Sequence, residues 1–369
     1  MKATQQLHDL GQSLWLDNIT RGLLNSGTLA RYISELSVTG LTSNPTIFEH
    51  AIGQSDFYDA AIREKTLEGK SGETLFFELA LEDLIQAADL LRPIHDATGG
   101  IDGWVSLEVS PLLADDTAAT IRAAMQLHAR AKRPNLFIKI PGTPAGIPAI
   151  EEAIFAGVPV NVTLLFSREH YLAAAAAYMR GIERRFAAGL DPKIASVASL
   201  FVSRWDVAVK NAAQGEFRNN RLGIAIAMRT YKACRDLLAS ARWQQLAASG
   251  AQPQRLLWAS TGTKDPAARD TLYIEALAAP DTINTIPEKT LLAFAEHGKV
   301  ENVLPLDAAY AEAVEAVIAE FNREGVNDDE LAAELQREGT ESFAKSWHDL
   351  MACIAAKSDA LMQPPAGGS

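Results

Sequence analysis

The feature that most constrains this chain is a repeated alternation of short apolar runs, each about the length of a strand, with longer stretches of helical periodicity. The runs fall at residues 13–17, 37–42, 103–109, 136–142, 158–166, 193–202, 255–260 and 281–286. Strands joined through helices predict a parallel sheet, and eight of them close on themselves as an α/β fold, the (β/α)8 barrel. The chain has 369 residues and 48% hydrophobic content, enough for that barrel with additions. Residues 55–95 hold helical spacings and no strand, so a helical insertion is expected after the second strand. Further helices are expected after the eighth, with Val314, Val317, Ile318 and Phe321 on one stripe and Phe343, Trp347, Leu350, Met351 and Ile354 on another. The expected organisation is one domain over 1–362 and a disordered tail over 363–369, which carries two prolines and two glycines.

The fourth run, Leu136-Phe137-Ile138-Lys139-Ile140-Pro141-Gly142, places an ammonium group among apolar neighbours. Side chains alternate along a strand, so Lys139 shares a face with Phe137 while Leu136, Ile138 and Ile140 share the other, and both faces read as buried. A buried amine without a partner is disfavoured in its charged form, and the neutral amine attacks carbonyl carbon. The alternative is a lysine at the end of an edge strand that reaches to water.

In a (β/α)8 barrel the carboxyl ends of all strands share one mouth. Asp17, Asn44, Glu108, Lys139, Asn161, Thr163, Ser199, Arg204, Ser260 and Lys264 are therefore expected as neighbours, although each alone could cap the next helix. Two acids beside an amine divide the labour of carbon–carbon chemistry through an enamine: one moves carbinolamine protons, the other deprotonates a hydroxyl. Thr261-Gly262-Thr263-Lys264 follows the seventh strand, where barrels often hold phosphate. Arg204 offers a fork of donors for phosphate, or an ion pair with the nearby Asp206.

Lys plus Arg number 34 against 46 Asp plus Glu, a net charge of −12, and no basic run could follow a phosphate backbone, so no nucleic-acid partner is expected. The first residues show no apolar secretion signal, and no run reaches the roughly 18 apolar residues that suggest a membrane span. A cytoplasmic protein without membrane contact is expected, with Cys234 and Cys353 as reduced thiols. The seven histidines, His8, His50, His95, His128, His170, His297 and His348, are scattered, and no metal is predicted. Monomer and homodimer are equally compatible with the sequence.

Six separated segments resemble, in order, those of the transaldolase family. They are Leu16-Asp17, Thr42-Ser43-Asn44-Pro45, Val105-Ser106-Leu107-Glu108-Val109, Ile138-Lys139-Ile140, Asn161-Val162-Thr163-Leu164-Leu165-Phe166-Ser167 and Ser199-Leu200-Phe201-Val202-Ser203-Arg204. The resemblance implies a Schiff base between Lys139 and a ketose phosphate, proton removal by Asp17 at the bond that breaks, and a water held by Glu108 and Thr163. It implies further that Asn44 and Asn161 hold the dihydroxyacetone unit, that Ser199 and Arg204 take the substrate phosphate, and that Thr42, Phe201 and Ser260 complete the substrate-binding set. Phosphorylated sugars would be the substrates, and no external cofactor would be needed. Shorter members of the family carry a second arginine after the seventh strand. Here the segment Ala259-Ser260-Thr261-Gly262-Thr263-Lys264 has a glycine at that place, resembles the longer subgroup, and leaves Lys264 as the replacement cation. The competing expectations are a fructose-6-phosphate aldolase using the same lysine, and a non-catalytic barrel that binds sugar phosphates.

Overall fold

The structure is a computed structural model that describes residues 1–210, 220–301, 303–305 and 307–363. Eight strands form a closed barrel in sequence order: β1 (Ser13–Asp17), β2 (Val38–Thr42), β3 (Trp104–Glu108), β4 (Leu136–Pro141), β5 (Val160–Leu165), β6 (Ser196–Phe201), β7 (Arg255–Ala259) and β8 (Ile283–Ile286). Every neighbouring pair is parallel, including β8 with β1. Closure removes every edge, so the edge-strand reading of Lys139 fails: its residue is 6% exposed.

Three strands begin two or more residues later than the apolar runs. Asp281 has φ +61°, outside the extended region, so β8 starts two residues on. Ile194 N–H turns back to the Pro192 carbonyl, which delays β6 to Ser196. Val158 N–H closes the preceding helix by bonding to Ala153, and Pro159 has no N–H for a ladder, so β5 starts at Val160.

Alternation along β4 divides the core in two. Leu136, Ile138 and Ile140 pack outward under the ring of helices. Phe137 points into the lumen, where it stacks on Trp104 at 4.0 Å between ring centroids and meets Trp15 at 6.1 Å, forming an aromatic floor under Lys139. Register completes the placement. Glu108 pairs with Lys139 and Lys139 with Asn161, so three functional side chains stand in one row across β3, β4 and β5, while Asp17 pairs with Thr42 across β1 and β2.

The insertion after β2 is helical, as expected, with helices Pro45–Gly53, Asp59–Leu67 and Gly72–Ala97. Asp116 caps helix Thr117–Ala131 by accepting from Ala119 N–H at 2.9 Å. After β8, helix Ala308–Arg323 buries Val314, Ile318 and Phe321, and helix Asp328–Met362 buries Phe343, Trp347, Leu350 and Ile354. Of the expected tail, 364–369 lies outside the described residues. No helix among the described residues is long and apolar enough to cross a membrane. Cys234 and Cys353 are free thiols.

Candidate active site

A cavity of about 320 Å³ opens at the carboxyl ends of the strands. Asp17, Thr42, Asn44, Lys139, Thr163, Ser199, Phe201, Arg204, Ser260 and Lys264 all line it. Glu108 and Asn161 stand behind that lining, in the row shared with Lys139. Another cavity, about 480 Å³, opens at the amino-terminal end of the barrel beside Gln12, Trp104 and Arg255. There Ser13 Oγ accepts from Arg255 Nη2 at 2.8 Å and donates to Asp102, a buried network that ties β1 to β7 and to the loop before β3.

Lys139 Nζ donates to the Ser43 carbonyl at 3.0 Å and lies 3.2 Å from Glu108 Oε2. Opposite charges on two side chains buried this deeply are tolerated only where each offsets the other's lost hydration. Burial pushes the Glu108 carboxyl up from its ordinary range, against the opposing pull of Lys139. Asp17 has the same balance: burial raises it most, while Lys139, the hydrogen bond from Thr42 Oγ1 at 2.9 Å and Lys264 draw it down. Burial thus shifts two carboxyls of one site toward the pH at which proton exchange is useful. Among the described residues no donor is aligned for a hydrogen bond to either Glu108 oxygen, despite the ammonium group 3.2 Å away, and the buried Thr163 hydroxyl has no hydrogen-bond partner either.

Other polar groups are already committed. Asn161 Nδ2 donates to Ser106 Oγ at 3.1 Å, and Ser199 Oγ donates to Asn161 Oδ1 at 2.7 Å. Asn44 accepts from Ile47 N–H at 3.0 Å, capping helix Pro45–Gly53, so the capping and site-lining readings of this residue hold together. Ser260, at φ +56°, shares a 2.9 Å hydroxyl contact with Ser203.

The two cations differ from these. Arg204 does not pair with Asp206, whose carboxylate accepts from Leu222 N–H, Gly223 N–H and Tyr273 Oη at 3.0, 3.2 and 2.8 Å. Among the described residues Arg204 makes no ion pair within 4.0 Å, and its guanidinium lies 5.9 Å from the Phe201 ring centroid. Lys264 is exposed on the β7 loop and likewise unpaired among the described residues. Two uncommitted cations at one rim suit an anionic ligand.

Several contributors escape sequence reasoning. Ser106 and Thr285 lie on inward positions of β3 and β8, which strand alternation could have revealed. The Ser43 carbonyl is a backbone group with no side-chain signal, while His50 and Phe343 reach the cavity from helices. No cluster of three or more histidine, cysteine or carboxylate side chains able to hold a metal is found among the described residues.

Fold and site thus define a (β/α)8 barrel with a buried lysine–glutamate pair at the catalytic end, opening on a cationic rim. The family described as "Transaldolase/Fructose-6-phosphate aldolase" matches residues 14–354. "Transaldolase 1" of Streptomyces avermitilis is 44% identical over 358 residues, covering 95% of this chain and 94% of that protein. "Transaldolase" of Thermobifida fusca is also 44% identical, covering 95% of this chain and 97% of that protein. The chain belongs to the transaldolase/fructose-6-phosphate aldolase family.

Proposed function

We propose that this protein is a transaldolase, moving a dihydroxyacetone unit from sedoheptulose 7-phosphate to glyceraldehyde 3-phosphate and yielding erythrose 4-phosphate and fructose 6-phosphate. The observation that carries the mechanism is Lys139 Nζ at 3.2 Å from Glu108 in a cavity rimmed by Arg204 and Lys264. Lys139, once neutral, attacks the donor's C2 carbonyl, and the carbinolamine loses water to leave an iminium. Glu108 and the Thr163 hydroxyl, without hydrogen-bond partners among the described residues, hold the water that exchanges protons in those steps. Asp17 takes the proton of the C4 hydroxyl, the C3–C4 bond breaks, and its electron pair passes to the iminium as an enamine. The aldose leaves, an acceptor aldehyde enters, and the same steps run backwards. Asn44 lines the cavity and Asn161, locked between Ser106 and Ser199, stands behind it, the two amides that hold the three-carbon unit, and the two rim cations take the phosphate. The absence of a membrane-length helix among the described residues and the two free thiols support a cytoplasmic location.

The family name joins a transferase to an aldolase, and one experiment separates them. Fructose 6-phosphate alone should give a burst of glyceraldehyde 3-phosphate near one equivalent per site with very slow dihydroxyacetone release. Added erythrose 4-phosphate should restore rapid turnover. Dihydroxyacetone formed continuously at a comparable rate without acceptor would make the protein an aldolase.

The cationic rim has its own test. Arg204→Ala should raise KM for phosphorylated donors by roughly 10- to 100-fold, the loss of one or two charge-assisted hydrogen bonds, with much less effect on unphosphorylated dihydroxyacetone donors. Equal losses for both donors would make Arg204 structural.

A further inference from the structure

We propose that Gln336, on helix Asp328–Met362, is a positioning residue for the reaction, acting through the backbone that carries Thr163. This rests on the reading of Lys139, Glu108 and Thr163 given above. Leu164 has φ +59°, a left-handed conformation that a side chain disfavours, and the β5–β6 register shifts between Val162 and Leu165. The kink turns the Leu164 carbonyl out of the ladder immediately after Thr163.

The Gln336 amide holds that carbonyl. Its Nε2 lies 2.9 Å from Leu164 O and 3.0 Å from Gly142 O, and both bonds are buried. Gly142 N–H in turn donates to Thr163 O at 2.8 Å. One side-chain amide therefore joins the ends of β4 and β5, the strands that bear Lys139 and Thr163. Gln336 is 8% exposed, so these carbonyls have little access to replacement water. Gly339 allows the approach, since a Cβ there would stand 3.0 Å from Leu164 Cδ2, and Phe343 on the same helix lines the cavity. Residues 336, 339 and 343 lie at helical spacing on one face. Among the described residues the Thr163 hydroxyl has no protein hydrogen bond to aim it, so the backbone held by Gln336 sets its place in the cavity that Lys139 also lines.

Gln336→Met removes both donors at similar volume, and Gln336→Glu replaces them with acceptor oxygens. Both should lower kcat by roughly 10- to 100-fold, the scale of a misplacement near 1 Å, while KM for fructose 6-phosphate stays within about twofold. Borohydride trapping should still reach one label per chain, at a rate reduced by the same factor. Gln336→His, which keeps an N–H donor, should recover part of kcat. In a Thr163→Ala background, Gln336→Met should add at most about a twofold loss, because both changes disable one group. Melting curves establish folding first, and the buried Trp347, Leu350 and Ile354 hold the helix independently of Gln336. Unchanged kcat in the folded variants, a rise in KM alone, or losses additive with Thr163→Ala would overturn the proposal. Wild type that cannot be trapped would refute the site reading itself, a different result from trappable wild type with unaltered Gln336 variants.

Discussion

Lys139→Arg should abolish transfer, with kcat falling by at least about 10⁴-fold, while the barrel stays folded. A guanidinium is not deprotonated in proteins, so the variant keeps the charge beside Glu108 and supplies no free amine. Retained charge matters here, because a Glu108 stripped of its cation would be left buried and unpaired. The larger head group must fit a residue that is 6% exposed, so some stability is lost to overpacking, on the order of 1–3 kcal/mol. Circular dichroism should remain that of the wild type. Turnover near the wild-type rate would contradict covalent catalysis at this position, since no other step in the scheme uses the amine of Lys139.

The second large effect is expected at Asp17. Asp17→Asn keeps an acceptor oxygen for Thr42 at the same place and removes the base. Cleavage and the reverse condensation should both fall by roughly 10²- to 10⁴-fold in kcat, the usual contribution of a positioned proton acceptor. Schiff-base formation should persist, because its proton transfers are assigned to Glu108 and Thr163. The pH profile gives an independent readout. Burial holds the Asp17 carboxyl above its ordinary range, so wild-type cleavage should decline on the acid side at a higher pH than an exposed aspartate would dictate. The remaining activity of Asp17→Asn should lack that limb. A variant that cleaves normally but forms the Schiff base slowly would exchange the roles of Asp17 and Glu108.

How much of this was legible in the sequence depends on where each contribution originates. A parallel barrel strand is buried on both faces and reads as a continuous apolar run, so all eight were found, and the period of two correctly placed Lys139 above Phe137. The misplaced strand starts reflect backbone geometry that apolar content does not report, such as φ +61° at Asp281. Strand-end logic gathered the site, because barrel topology brings distant carboxyl ends together without requiring contact prediction. It could not show commitments across strands. Ser199, expected at the phosphate, donates to Asn161, and Asp206, the alternative partner of Arg204, instead holds the start of helix Leu222–Ala239. Gln336 was hidden for another reason: its partners are backbone carbonyls 172 and 194 residues away, a relation with no sequence signature.

The central claim is that a covalent enamine forms on one lysine. Borohydride reduction in the presence of fructose 6-phosphate, followed by intact mass and peptide mapping, tests it most directly. A three-carbon dihydroxyacetone-derived adduct should appear once per chain, on the peptide containing Lys139, and should be absent from Lys139→Arg. An adduct on any other lysine, or an active enzyme that acquires none, would contradict the account.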